Sequence, residues 1–219
     1  MKGLWWKILA VVLILYTLIG GMLFDVPALP ILNETIRNLY FHVTMWFGMI
    51  ILMLASVVYS IVSLNKQNPQ ADMKAAEAAR SGLLLGALGI ITGSLWAKFT
   101  WGAWWVSDPK LNGAAITVLI YAAYMILRNA IEEEQKRARI AAVYNIFAFV
   151  LLVVFLIILP RTTDSLHPGN GGNPAFSTYD LDSTMRWVFY PAIIGWTLLG
   201  VWIAELRVRI RIVKQKMTE

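Results

Sequence analysis

The sequence predicts an all-α integral membrane protein: one domain of six transmembrane helices with both termini in the cytoplasm. Three observations carry this. The chain has 219 residues, of which 58% are hydrophobic and only 15% charged, with a mean hydropathy of +0.63. Ordinary globular domains are less apolar and more charged. Six segments reach the roughly 20 mostly apolar residues that a helix needs to cross a bilayer. Basic residues are also unevenly shared between alternate loops, as topology in a membrane requires.

The first span covers 5–24. It has no A-x-A cleavage site and its apolar run is long, so it reads as a retained helix and not a signal peptide. The second covers 36–64 and stops at Asn65-Lys66-Gln67-Asn68-Pro69; the third covers 79–97 and the fourth 111–127. The fifth covers 140–159, with Pro160 as its stop, and the sixth covers 184–204 before a basic tail. Of the 19 Lys and Arg, 14 fall on one side: Lys2, Lys7, Lys66, Lys74, Arg80, Arg128, Lys136, Arg137, Arg139, Arg207, Arg209, Arg211, Lys214 and Lys216. The other five are Arg37, Lys98, Lys110, Arg161 and Arg186. This bias places both termini in the cytoplasm and the loops after the first, third and fifth helices outside. The 13 acidic residues divide seven to six and decide nothing.

The cytoplasmic loops are polar and mixed in charge. Residues 128–139 carry Glu132-Glu133-Glu134 and then Lys136, Arg137 and Arg139, a pattern that reads as a solvated helical extension with i,i+3 and i,i+4 pairs. The net charge of +6 follows from this loop bias and implies no nucleic-acid partner. No GxxxxGK[ST] loop is present, so any ATP that drives the system is bound by another subunit. Cysteine is absent, which excludes disulfides, iron–sulfur clusters, thiolate metal sites and Cys nucleophiles. The third helix carries Gly82, Gly86, Gly89 and Gly93, two GxxxG steps that favour close internal packing over a subunit contact. Asn145, toward the inner half of the fifth helix, reads as a packing hydrogen bond.

The outer loops carry the chemistry. The densest stretch is Trp101-Gly102-Ala103-Trp104-Trp105-Val106-Ser107-Asp108-Pro109-Lys110-Leu111-Asn112. Trp at a membrane surface is ordinarily an aromatic belt. Three within five residues also make a flat apolar surface for another flat molecule. Asp108-Pro109 is an N-cap followed by a first-turn Pro, the expected start of the fourth helix. The last outer loop, 161–182, includes a turn-rich segment at 168–174 that is expected to be mobile.

The chain has two His, His42 and His167, and both fall on the outer side. A lone His in a membrane helix is ordinarily a packing residue. Two His at the depth of a Trp loop suit metal ligation, and two are too few for a tetrahedral zinc site. They suffice for the two axial positions of a haem, whose porphyrin supplies the other four. Trp101, Trp104 and Trp105 would then offer an apolar surface to the ring. Arg37, Lys98, Lys110, Arg161 and Arg186 are the outward basic residues available to its propionates, although such residues ordinarily snorkel.

The Trp stretch resembles the WWD motif of the haem-handling proteins of cytochrome c maturation, whose pattern is roughly WGxWWxWDxRLT. Six helices, one outer His before the motif and one after it match the CcmC branch. The related CcsA and CcmF branches have more helices and more His than this chain can hold. Ser107 stands where the family has a further Trp, Lys110 where Arg is common, and Asn112 where Thr is common. The resemblance implies a non-enzymatic haem-delivery subunit of the bacterial inner membrane with periplasmic functional loops. It implies axial ligation by His42 and His167, and contact with haem and chaperone through Trp101, Gly102, Trp104, Trp105 and Asp108. Haem b is then a transient cargo, passed to a CcmE-like periplasmic chaperone, with CcmA- and CcmB-like ATP-binding-cassette subunits and a CcmD-like helper as partners in the lipid bilayer.

Two other readings stand beside it. A membrane b-type cytochrome with two haems would need about four axial ligands, some on the inner half. A transporter of another small solute would carry ionisable groups near the bilayer midplane, where this sequence has almost none.

Overall fold

The computed structural model describes residues 3–167, 175–176 and 181–218, the last without its side chain. The turn-rich segment 168–174 and Lys2 lie outside the described residues. Among the described residues there are helices and no strands. The helices are α1 (Leu4–Leu23), α2 (His42–Lys66), α3 (Pro69–Trp101), α4 (Pro109–Ala130), α5 (Glu134–Val153) and α6 (Ser183–Thr218). A 3-10 helix, Asn33–Tyr40, precedes α2. Six helical spans are long and apolar enough to cross a membrane.

α1 runs antiparallel to α6, and α2 antiparallel to α3. Lys7 of α1 pairs with Glu205 of α6 at 3.0 Å, while Gly20 of α1 meets Val188 near the other end of α6. Along the seam between α2 and α3, Met53 meets Gly82, Met49 meets Gly86, Trp46 meets Gly89 and His42 meets Gly93. The glycine stripe therefore serves internal packing: backbones close up because no Cβ intervenes. α2 is central, packing on α3, α5 and α6, and α4 lies on α5. The start of α1 and the far end of α6 sit at one end of the bundle. The 3-10 helix, the Trp loop and the segment after α5 gather at the opposite end, over a cluster built from Ile36, Leu39, Tyr40, Met185, Val188 and Phe189.

Several boundaries differ from the sequence expectation. The second span begins as the 3-10 helix at Asn33, and regular α2 starts only at His42. α3 starts at Pro69, ten residues before the expected 79, so most of the supposed loop is helical. Asn68 is its N-cap: its side chain accepts the N–H of Gln70 at 2.9 Å and of Ala71 at 3.2 Å, with Pro69 in the first turn. α5 does not stop at Pro160. A π-helical segment, Val154–Ile158, leads into a last turn, Leu159–Thr162. The wider turn accommodates a proline ring that would clash with a regular helix. Its Phe155 carbonyl lies where a Cβ on Gly113 of α4 would fall, 2.3 Å away. The basic tail continues as α6.

The terminal end of the bundle is also not merely solvated. Arg128 is fully buried and makes a bidentate pair with Asp72. Glu77, equally buried, accepts from Arg80 at 2.6 Å, Arg207 at 2.7 Å and Arg211 at 3.3 Å. Buried carboxylates persist because each meets guanidinium groups. The 128–139 stretch is broken by Ile131–Glu133 between α4 and α5, and keeps one expected i,i+3 pair, Arg137–Glu134 at 3.0 Å. Asn145 donates to Ser56 at 2.7 Å and Ser60 at 2.9 Å, which ties α5 to α2.

Candidate functional site

The loop end of the bundle brings both histidines together with the Trp stretch. His42 is the first residue of α2. The 3-10 helix before it is fastened to α3: Asn38 Nδ2 donates to the Thr92 carbonyl at 3.0 Å, and Trp96 Nε1 donates to Thr35 Oγ1 at 3.1 Å. These bonds leave the imidazole against α3, with Nδ1 at 2.9 Å from the Gly89 carbonyl oxygen and 3.4 Å from Thr92 Oγ1. A carbonyl only accepts, so Nδ1 carries the proton and Nε2 keeps an open lone pair. Trp46 and Trp96 meet the ring edge-on, at centroid distances of 6.4 and 5.9 Å.

His167 is held differently. Its Nδ1 lies 3.0 Å from Asp108 Oδ1, and Trp101 packs edge-on at a centroid distance of 4.9 Å. An ionised carboxylate also only accepts, so Nδ1 of His167 is the donor here and Nε2 is the ring nitrogen that faces away from Asp108. No described residue bonds to either Nε2. His42 lies within electrostatic reach of His167 and of Lys110. Among the described residues no three metal-ligating side chains converge.

Asp108 is the hub. Oδ1 accepts from the backbone N–H of Lys110 at 2.9 Å and Leu111 at 3.3 Å, which caps α4 as the sequence predicts. The same oxygen receives His167, while Oδ2 accepts from Ser165 Oγ at 2.9 Å and the Leu166 N–H at 2.7 Å. Burial raises the carboxyl's pKa, but the hydrogen bonds from His167, Leu166 and Ser165 outweigh it and hold the group well below the usual carboxylate range. Asp108 is only 1% exposed, against 58% for Trp104 and 41% for Trp105. The two indoles form the loop's accessible face and the carboxylate its concealed anchor.

The remaining motif residues have separate tasks. Gly102 ends α3 with φ +80°, a left-handed conformation that a side chain disfavours. Trp105 Nε1 donates to Asn112 Oδ1 at 3.2 Å, so the residue that departs from Thr orients an indole of the motif. Ser107 is exposed.

The five outward basic residues do not converge as a set. Arg37 donates to the carbonyls of Gly21 and Phe24 and pairs with Glu34, which locks the end of α1. Arg186 donates to the Leu181 and Phe176 carbonyls, and Arg161 to the Ile157 carbonyl of its own helix. Lys98 Nζ donates to the Gly102 carbonyl at 2.9 Å. Lys110 lies in the first turn of α4, within electrostatic reach of His42. Sequence reading missed Gly89, Gly93 and Thr92 around His42, and Ser165 and Leu166 around Asp108. The glycine stripe was visible, but its partner was not.

The chain is 28% identical over 216 residues to the heme exporter protein C of Rhodobacter capsulatus, covering 94% of this chain and 85% of that protein. It is 25% identical over 205 residues to that of Escherichia coli K12, covering 94% and 81%. The heme exporter protein C of Paracoccus denitrificans is 25% identical over 185 residues, covering 84% and 76%. A family model described as CcmC, heme exporter protein C, matches residues 2–219. By this match over nearly its whole length, the chain belongs to the CcmC family.

Proposed function

We propose that the chain is a non-enzymatic haem-handling subunit of cytochrome c maturation. It holds haem at the outer face of the bacterial inner membrane and passes it to a CcmE-like periplasmic chaperone. CcmA- and CcmB-like ATP-binding-cassette subunits and a CcmD-like helper complete the assembly. One observation carries the reading: each imidazole has its Nδ1 engaged by an acceptor and an Nε2 that no described residue bonds. That is the state in which histidine ligates iron, with the second nitrogen's partner fixing ring orientation.

In this reading Nε2 of His42 and Nε2 of His167 occupy the two axial positions of haem b, held as transient cargo. Trp101 stands beside His167, and the exposed Trp104 and Trp105 offer their faces to the ring edge and to the chaperone. Asp108 acts through His167 instead of touching haem or chaperone, because its oxygens are concealed and engaged. Lys110, near His42, is the first candidate for a propionate; Lys98, at the end of α3, is the second. Arg37, Arg161 and Arg186 serve the backbone before any ligand.

The test is the absorption spectrum of the purified chain loaded with haem, with and without a trapped chaperone. A six-coordinate bis-His spectrum is expected, and His42→Ala or His167→Ala abolishes it. If both variants keep it, the ligand assignment fails.

A further inference from the structure

We infer that Gly93, together with the Gly89 carbonyl, is the positioning site for His42, setting the direction in which its Nε2 points. The inference rests on the ligand role proposed for His42 and extends it to two residues that touch no ligand.

The four glycines of α3 meet different neighbours. A Cβ on Gly82 would lie 3.0 Å from Met53 Cε, and one on Gly86 would lie 2.6 Å from Met49 Sδ. Methionine is flexible, so both neighbours can yield. A Cβ on Gly93 would lie 2.5 Å from Cε1 of His42, 3.0 Å from Nδ1 and 3.4 Å from Nε2. That imidazole cannot yield in the same way. Its Nδ1 is bonded to the Gly89 carbonyl, and Trp46 and Trp96 close in on it edge-on. Cε1 lies between the two ring nitrogens. A methyl pressing there must either break the Nδ1 bond or rotate the ring, and both redirect Nε2. At Gly93 the missing side chain therefore serves a second purpose besides close packing: it seats the imidazole against helix backbone in one tautomer and one orientation. The absence of Cβ at Gly89 likewise admits Trp46, whose Cε2 would lie 2.8 Å from it.

The experiment compares Gly93→Ala with Gly86→Ala in the full chain loaded with haem. Both variants crowd the same seam, but only one crowds His42. Gly93→Ala is expected to convert the low-spin bis-His ferric signal largely to high spin and to weaken haem retention about 10- to 100-fold, the usual range for lost outer-sphere support of a ligating His. Added imidazole should restore the low-spin signal by filling the vacated position. Gly86→Ala should keep the wild-type signal. Equal loss in both variants, or a wild-type signal in Gly93→Ala, overturns the inference. His42→Ala, measured alongside, separates the two claims. If it leaves the signal intact, the ligand reading fails; if it abolishes the signal while Gly93→Ala does not, only the positioning fails. Should Gly93→Ala not accumulate, nitrogen-15 NMR of histidine-labelled, haem-free wild type tests the same point. A protonated Nδ1 and bare Nε2 on His42 are expected, and the opposite tautomer overturns the inference.

Discussion

His42 and His167 present the same atom in opposite ways. His42 is seated on helix backbone, with a neutral carbonyl as its partner and a glycine beneath its ring. His167 lies outside regular helix and takes its orientation from one buried carboxylate that also caps α4 and fastens Ser165 and Leu166. One imidazole is fixed by packing, the other by charge. If both imidazoles ligate iron as proposed, the charged acceptor makes its imidazole the stronger donor, and the two bonds should be unequal. The same contrast explains the Asp of the Trp motif, which couples the aromatic loop to one of the two imidazoles.

Four substitutions can break or sharpen this contrast. The largest effect lies away from both histidines and supplies the control. Arg128→Met leaves Asp72 buried and unpaired and should cost about 3–5 kcal/mol of stability, read as lower thermal resistance, while the protein that remains folded keeps the wild-type haem signal. Asp108→Asn comes next. It should weaken haem retention about 10- to 100-fold by freeing His167, with His42 still ligating; loss at both positions would show that the two sites are one unit. Trp101→Leu removes the edge contact on His167, worth about 0.5–1.5 kcal/mol, and should weaken retention severalfold at most. Thr92→Val is the smallest. Its 3.4 Å contact with Nδ1 is long for a hydrogen bond, so titration with haem should find at most about a twofold change.

Some of this was legible in the sequence and some was not. Apolar length showed the six spans but understated α3 and α6, whose polar and charged turns continue beyond any apolar core. Asn68-Pro69 carries the same start signal as Asp108-Pro109. It was read as a stop because the turns after it are polar, yet Asp72 and Glu77 there are matched by arginines far away in sequence. The Asp108 cap was legible because capping is local. Its grip on His167 was not, because it spans 59 residues of chain. The glycine stripe indicated close packing, but only the antiparallel register of α2 and α3 places His42 over Gly93.

The most direct test of the account is electron paramagnetic resonance of the ferric, haem-loaded protein in three forms: wild type, His42→Ala and His167→Ala. A low-spin bis-His signal is expected in wild type and a high-spin signal in each variant. A variant that retains the wild-type low-spin signal would contradict the account, because the histidine removed would then not have been a ligand.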